Sequence, residues 1–200
     1  MKGKNLIKRC LGFLCLLLLA TIARASTVDF NNFSPIDSGL TVASYQGLTF
    51  TPNAGFMGVW INNPNGNGTP SLVYDGFGSG GAGVTMTKTG GGAFDLNSLD
   101  MTISWYDNLS SDTVSLVANL LGGGQTTETL SLIQGLQTYN LNLQNVTSVA
   151  ISEVASNSGY WLMDNVNYNS SVTPEPGSLL LLGTGLAGIA GAIRRRKVTA

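Results

Sequence analysis

Apolar residues alternate with serine, threonine and asparagine along most of the central chain, with the period of two that is typical of half-buried β-strands. In one such segment, Met101, Ile103 and Trp105 share a predicted strand face, opposite Thr102 and Ser104. The same reading predicts strands at 48–51, 57–61, 72–74, 84–87, 114–120, 126–132, 139–143, 149–151 and 161–168. No amphipathic helix is evident between them, so the central chain is predicted to be all-β.

Glycine- and asparagine-rich segments separate the predicted strands, at 62–70, 76–83, 90–92 and 122–124. Many short strands joined by such turns predict a two-sheet antiparallel β-sandwich or jelly roll. The alternative is a disordered, glycine-rich matrix segment. The strand-like alternation and the sixteen aromatic residues of the chain (7 Phe, 6 Tyr and 3 Trp) argue against that alternative.

The first 25 residues have the three parts of a secretory signal peptide. A basic start is followed by an apolar run at 11–20, and Ala23 and Ala25 then supply the small residues that signal peptidase reads. Cleavage is expected before Ser26. The alternative is an uncleaved anchor, but the apolar run is shorter than the roughly 20 residues of a spanning helix.

The C-terminal segment follows the predicted β-domain at 26–169. Residues 170–176 form a polar linker, residues 177–193 an uncharged apolar run that predicts a transmembrane helix, and residues 194–200 a basic tail. The positive-inside rule keeps that tail cytoplasmic and the β-domain outside. A plain tail anchor with a glycine packing stripe is the simplest alternative.

The order of these features resembles the PEP-CTERM sorting signal of Gram-negative bacteria. The residues that carry the resemblance are Pro174, Glu175, Pro176, Arg194, Arg195 and Arg196, with the apolar run between them. The resemblance implies recognition by an exosortase, processing near the proline pair after transit through the inner membrane, and delivery to the cell surface or extracellular matrix. It implies a sorting route and not an activity.

The β-domain itself resembles the jelly rolls of carbohydrate-binding modules. Asp29-Phe30 opens it, residues 47–50 (GLTF) follow, and residues 161–168 (WLMDNVNY) close it. The resemblance implies binding of a glycan, here an exopolysaccharide. It also implies that the first and last strands lie close together, where such folds often hold a structural Ca²⁺.

Asp164 is the carboxylate that this arrangement singles out. In a regular strand it shares a face with Leu162 and Val166, and a buried carboxylate needs a hydrogen bond, an ion pair or a metal. The tentative calcium ligands are Asp29, Asp164 and Asn165. The alternatives are backbone N–H donors to Asp164, or a bulge that turns it to solvent.

Aromatic side chains are the residues able to stack on sugar rings. In the adjacent pairs Trp105-Tyr106 and Tyr160-Trp161, one ring of each pair must face away from the core. Parity favours Trp161 as the surface member, and the tentative glycan-binding residues are Trp161, Trp60, Trp105 and Tyr160. Ordinary core packing is the alternative for each of them.

Charge and composition exclude several function classes. Between residues 26 and 173 there are ten acidic side chains and one basic side chain, Lys88, so this part lacks the basic footprint of a nucleic-acid binder. Histidine is absent, and Cys10 and Cys15 fall within the predicted signal peptide, which excludes His-based and thiol-based catalysis.

The predicted function is therefore that of an exported, non-catalytic protein with a structural or adhesive role at the cell surface or in the exopolysaccharide matrix. A carbohydrate-binding module is the alternative. A glycoside hydrolase ranks third, because no motif selects a catalytic pair among the available carboxylates, which include Asp107, Asp112, Glu128 and Glu153.

Overall fold

The computed structural model describes residues 25–34, 43–75, 83–107, 109–154, 160–170 and 184–185. The chain divides into two compact units, one of Ile22–Ser171 and one of Met1–Thr21 with Val172–Ala200. In the second unit only Thr184 and Gly185 are described, and both are helical and exposed. The fold described below is that of the first unit.

The described part of the first unit contains eleven β-strands and one short 3-10 helix. The strands are β1 (Ala25–Val28), β2 (Ala43–Tyr45), β3 (Leu48–Pro52), β4 (Phe56–Trp60), β5 (Ser71–Asp75), β6 (Gly83–Lys88), β7 (Phe94–Ile103), β8 (Ser111–Leu120), β9 (Gln125–Ile133), β10 (Gln137–Glu153) and β11 (Tyr160–Ser170). The 3-10 helix, Trp105–Asp107, lies between β7 and β8.

Hydrogen bonds join the strands in the order β2-β3-β6-β10-β7-β11-β5-β4, with β1 paired to β11 and the β8–β9 hairpin paired to β10 through β8. The pairings are antiparallel. Strand β10 pairs first with β7 and then with β6 and β8, while β11 pairs with β7, β5 and β1. Because these strands change partners along their length, the sheet curls on itself, and the predicted all-β, jelly-roll-like class is confirmed.

Strand β10 merges the two strands that the sequence predicts at 139–143 and 149–151. Its register against β7 shifts twice, and Asn142 and Asn145 lie at the shifts with φ of 53° and 52°. Asparagine tolerates this left-handed backbone better than most residues, and each bulge bends the strand. Because of these bends, the single strand β10 can pair with β7 along its first half and with β6 and β8 along its second half.

Alternate residues of the strands build one apolar core. Along β8, for example, Val114, Leu116 and Ala118 are fully buried, as their alternation predicts. The largest fully buried side chains include Trp161, Tyr74, Phe30, Phe50 and Phe94. Burial of this apolar surface is the main force that holds the sheet in its curled form.

The end of β7 corrects one prediction. Trp105 does not continue the strand face of Met101 and Ile103, because the chain leaves the sheet after Ile103 and Trp105 begins the 3-10 helix. The buried Ser104 fixes this turn: its N–H donates to the carbonyl of Tyr160 (2.7 Å), and its hydroxyl accepts the N–H of Tyr106 (3.3 Å). Trp105 is therefore half exposed instead of part of the core.

Candidate functional site

Four aromatic side chains meet on the surface of the sheet. They form what we call the aromatic patch, which consists of Trp60, Trp105, Tyr106 and Tyr160. Trp60 stacks on Tyr160 with ring centroids 5.6 Å apart, Tyr160 meets Tyr106 edge-on at 5.1 Å, and Tyr106 meets Trp105 edge-on at 5.8 Å. Three of the four predicted glycan-binding residues are thus brought together, and Tyr106 joins them.

Strand register explains why residues so distant in sequence converge. Trp60 on β4 pairs with Ser71 of β5, and Tyr160 on β11 pairs with Asp75 at the other end of β5. Both side chains point to the same face of the sheet. They lie two strands apart, with one row of paired residues on that face between them. The row between them contains Gly58, Val73, Leu162 and Thr102, all buried. For the Trp60 and Tyr160 rings to stack at 5.6 Å, both must lean over this row.

The exposed rings of the patch lie on the 3-10 helix. Trp105 is 50% exposed and Tyr106 is 59% exposed, whereas Trp60 and Tyr160 are half-buried. Partly exposed tryptophan and tyrosine present a flat apolar face together with a polar N–H or O–H group. Such faces match the apolar C–H face of a pyranose ring, so the patch has the chemistry of a sugar-binding surface.

Trp161 does not belong to this surface, and its predicted exposure is wrong. Its side chain is fully buried, with its ring 5.2 Å from that of Tyr74. The parity argument fails because β11 contains a bulge: Asn165 has a φ of 47°, and the register against β7 shifts between Asp164 and Asn167. Residues before and after a bulge exchange faces, so Trp161 and the later Val166 both point into the core.

A polar cluster borders the patch on the same sheet face. The buried Asp164 pairs with Asp100 on β7, and its Oδ2 accepts hydrogen bonds from the amide of Asn67 (3.0 Å) and the hydroxyl of Thr69 (3.2 Å). Its Oδ1 accepts the N–H of Asn165 (2.8 Å). The predicted burial of Asp164 is thus correct, but it lies on the face opposite the apolar core, with protein donors around it.

Asp100 completes this cluster. Its two oxygens accept hydrogen bonds from the hydroxyl of Thr138 (2.6 Å) and the side-chain amide of Asn165 (2.8 Å). The pKa of Asp164 is raised to about 6, mainly by burial and to a smaller extent by the neighbouring Asp100 charge, against the lowering effect of its hydrogen bonds. One row across the sheet contains, on β4, β5, β11 and β7 in turn, Trp60, Ser71, Asp164 and Asp100. The two carboxylates therefore lie beside the aromatic patch.

The tentative calcium ligands are held by different partners. Strand β1 does pair with β11, as expected, with Val28 opposite Val166. Asp29, however, exchanges hydrogen bonds with Gln46 and accepts the N–H of Asn31, so within the described part of the chain it shares no hydrogen-bond partner with Asp164. Among the described residues, no group of three or more His, Cys, Asp or Glu side chains could hold a metal ion. Calcium binding at Asp29, Asp164 and Asn165 stays a prediction.

Several predicted features lie outside the described residues. They are Ala23 of the signal-peptidase site, the sorting residues Pro174, Glu175, Pro176, Arg194, Arg195 and Arg196, and all of the 177–193 segment except Thr184 and Gly185. Ala25 and Ser26 are described, at the start of β1. In the described part of the chain, no helix is long and apolar enough to cross a membrane.

Sequence reasoning missed the polar partners of Asp164. Asn67 and Thr69 belong to the 62–70 segment, which is predicted as a turn without a role, and Asp100 and Thr138 carry no local motif. The signal that could have found them is the density of side-chain amides between Asn62 and Asn67, which is more than a simple turn requires.

Residues 172–197 match the PEP-CTERM protein-sorting motif. A comparison with curated proteins finds no match.

Solved structures with a similar fold include carbohydrate-binding modules. A family 29 carbohydrate-binding module from Piromyces equi has 10% sequence identity and a TM-score of 0.51, covering 76% of this chain and 94% of that chain. A variant of another family 29 module, studied for its ligand recognition, has 14% identity and a TM-score of 0.50, covering 74% and 93%. An exo-β-agarase matches at 11% identity and a TM-score of 0.47 over 25% of that enzyme. Identities this low show a shared fold alone.

Both resemblances drawn from the sequence are therefore confirmed at the level of motif and fold. The chain carries a PEP-CTERM sorting motif, and its β-domain has a fold similar to that of family 29 carbohydrate-binding modules.

Proposed function

We propose that this protein is exported by an exosortase route and binds a neutral polysaccharide, without catalysis, at the cell surface or in the extracellular matrix. The PEP-CTERM motif implies export and membrane-anchored transit, and the fold fits carbohydrate binding. The observation that carries the proposal is the aromatic patch, in which Trp105 and Tyr106 are at least half exposed beside a cluster of carboxylate, amide and hydroxyl groups.

The patch and the cluster supply the two kinds of contact that a sugar needs. The rings offer apolar faces, and the neighbouring polar groups offer donors and acceptors for hydroxyls. Asn67 is exposed and Asp100 is half-buried, so part of the cluster can reach a ligand, while the buried Asp164 holds Asn67 in place. A short oligosaccharide lying across the patch would meet both surfaces.

The charge of the domain selects neutral over anionic polysaccharides. Ten acidic side chains and a single lysine lie between residues 26 and 173, and two of the acids, Asp100 and Asp164, border the patch. A polyanion approaching this face would meet repulsion unless cations intervene. The proposed ligands are therefore chains of neutral pyranoses.

A hydrolytic role has less support from the arrangement of carboxylates. Asp112 and Glu153 are less than one-tenth exposed, and Glu128 is exposed on β9, whose partner β8 separates it from the rest of the sheet. The side chain of Asp107 lies outside the described residues. We therefore propose binding without cleavage.

Affinity electrophoresis tests the binding proposal. The full chain, purified in mild detergent, is run in gels that contain a soluble β-glucan, a mannan or the anionic polysaccharide alginate. At least one neutral polysaccharide should retard the wild type, and Trp105→Ala with Tyr106→Ala should abolish the retardation. Leu121→Ala, which removes an exposed apolar side chain at the β8–β9 turn, is the matched control and should migrate like the wild type.

The result that would overturn the proposal is a double variant retarded as strongly as the wild type, or a wild type that no neutral polysaccharide retards. Release of reducing ends from a retarding polysaccharide would refute the non-catalytic role.

Fractionation of the producing cell tests the sorting half separately. A chain ending at Thr173 should accumulate in the periplasm, whereas the intact chain should reach the outer surface or the matrix. Normal surface delivery of the shortened chain would contradict the proposed route.

A further inference from the structure

Three polar side chains beside the aromatic patch share one hydrogen too few. The hydroxyl of Thr69 lies within hydrogen-bond distance of two acceptors, the side-chain oxygen of Asn67 and, at 3.2 Å, Oδ2 of the buried Asp164. A threonine hydroxyl carries a single hydrogen, so it can donate fully to only one of these oxygens at a time. As long as Asp164 is ionised, one of the two contacts therefore lacks a hydrogen.

The orientation of the Asn67 amide shows which contact lacks it. The amide oxygen accepts the backbone N–H of Thr69 (2.9 Å), and a backbone N–H can only donate. The amide nitrogen therefore faces Asp164, and it donates to Oδ2 at 3.0 Å. Of the two contacts of the Thr69 hydroxyl, the one with the Asn67 oxygen is the shorter, so the hydroxyl hydrogen belongs there. The missing hydrogen is the one between Thr69 and Asp164.

A proton on Oδ2 of Asp164 supplies that hydrogen. The acid then donates to the hydroxyl of Thr69, the hydroxyl donates to the oxygen of Asn67, and the amide of Asn67 donates back to Asp164, so that the three side chains close a ring. Oδ1 of Asp164 keeps the N–H of Asn165 (2.8 Å), as the carbonyl oxygen of a protonated acid can. The side chain of Asp164 is only 1% exposed, and such burial also favours the neutral form.

The charges around Asp164 favour its protonated form as well. Asp100 lies directly opposite it on β7. The same row on β4 and β5, and the turn at 62–70, contribute no titratable side chain. Lys88 lies on β6, which does not pair with β11. Among the described side chains, the one charged group that faces Asp164 is therefore another carboxylate, and burial together with this charge raises the pKa of Asp164 to about 6.

We propose that Asp164 is a positioning residue of the polysaccharide site, and that it acts in its protonated form by closing the ring that holds Asn67 beside the aromatic patch. Asn67 is exposed, and the second hydrogen of its amide has no partner among the described residues, so this hydrogen can bond a sugar hydroxyl. When Asp164 ionises, the ring opens and Asn67 is held less firmly. The affinity for polysaccharide is therefore highest in acid. This regulation rests on the proposed function, whereas the protonated ring does not.

Carbon-13 NMR of the full chain in mild detergent tests the ring without any polysaccharide. The carboxyl carbon of Asp164, assigned by its absence in Asp164→Asn, is followed from pH 4 to pH 8. Thr69→Val should lower the pKa of Asp164 by about half a unit or more, because valine cannot accept the proton of the acid, and Thr69→Ser should keep the wild-type value. If Thr69 instead donates to an ionised Asp164, Thr69→Val raises that pKa. A raised or unchanged pKa in Thr69→Val, or a wild-type carboxyl that titrates at its ordinary value, would overturn the ring.

Isothermal titration calorimetry with the retarding neutral polysaccharide, at pH 5.5 and pH 8, tests the regulation. The wild type and the control Leu121→Ala should bind about fivefold more tightly at pH 5.5, whereas Asp164→Asn should bind equally at both values. By the same linkage, saturating polysaccharide should raise the pKa of Asp164 in the NMR titration. Equal affinities of the wild type at both pH values, or a pH dependence that Asp164→Asn keeps, would overturn the regulation. Absence of binding at both values would overturn the proposed function and this regulation with it, while the NMR titration still decides the ring.

Discussion

The buried Asp164 makes the stability of the domain depend on pH, in a direction opposite to that of most carboxylates. Its pKa is raised from 3.8 to about 6, with burial as the largest cause. The folded state therefore holds a proton that the unfolded state releases between these two values. The resulting cost to stability is fully present above pH 6, and it is relieved as pH falls from 6 toward 3.8.

The size of this effect follows from the shift. Two pKa units correspond to about 3 kcal/mol, and because Asn67 is exposed and Asp100 is half-buried, solvent screening reduces this to about 2 kcal/mol. Asp164→Asn removes the titration. It also changes the contacts with Asn67 and Thr69, but that change is a constant offset at every pH.

Urea denaturation in chelator, from pH 8 to pH 4.5, measures the effect. The free energy of unfolding of the wild type minus that of Asp164→Asn should rise by about 1 kcal/mol over this range, most of it between pH 6 and pH 4.5, and the rest of the effect lies below pH 4.5. Taking the difference cancels the titration of groups that the two proteins share, including Asp112. A difference that stays flat, or that falls with decreasing pH, would refute the burial and the contacts assigned to Asp164.

The remaining predictions concern the core, a tight turn and the patch. Trp161→Ala should destabilise the domain by about 3 to 5 kcal/mol in chemical denaturation, because Trp161 is fully buried in the core. Trp161→Phe should cost much less, because the indole N–H has no hydrogen-bond partner among the described residues, and equal costs would contradict that placement. Gly47→Ala should cost about 1 to 3 kcal/mol, because Gly47 has a φ of +88° and an added Cβ would lie 2.2 Å from the Tyr168 hydroxyl oxygen. Gly124→Ala, at φ +86° with nothing within 4 Å, should cost less, and a cost equal to that of Gly47→Ala would exclude the clash. Trp60→Ala should weaken polysaccharide retention by about tenfold without abolishing it, because Trp60 supports Tyr160 from a half-buried position; complete loss would place the sugar on Trp60 itself.

The sequence pattern predicts where most strands lie, but it does not predict to which face of the sheet each side chain points. Alternation located most strands because each has one buried side, as in β8 with Val114, Leu116 and Ala118. A period of two cannot, however, reveal a bulge. At the left-handed Asn165, the side chains of β11 change faces. The alternation that placed Asp164 on the face of Val166, and Trp161 on the opposite, exposed face, does not continue through this bulge. The bulges at Asn142 and Asn145 likewise interrupt the alternation, so the sequence pattern predicts two strands where the structure has the single strand β10.

The aromatic patch was half predictable. Trp60, Trp105 and Tyr160 could be named as aromatic residues near strand ends, and the adjacent pairs required that some rings face outward. Their convergence depends on the neighbourhood of β4, β5, β11 and β7, which no local pattern contains. The contacts of Asn67 and Thr69 with Asp164 depend likewise on the register of β5 against β11.

Tryptophan fluorescence during titration with the retarding polysaccharide tests the central claim most directly, because two of the three tryptophans differ sharply in exposure. Trp105 is half exposed in the patch, whereas Trp161 is fully buried. We predict a saturable blue shift of the emission as Trp105 becomes covered, together with protection from iodide quenching, and neither change in Trp105→Phe. A Trp105→Phe variant that gives the same saturable shift, or a wild type whose spectrum and quenching stay constant at polysaccharide concentrations that retard it, would contradict binding at the aromatic patch.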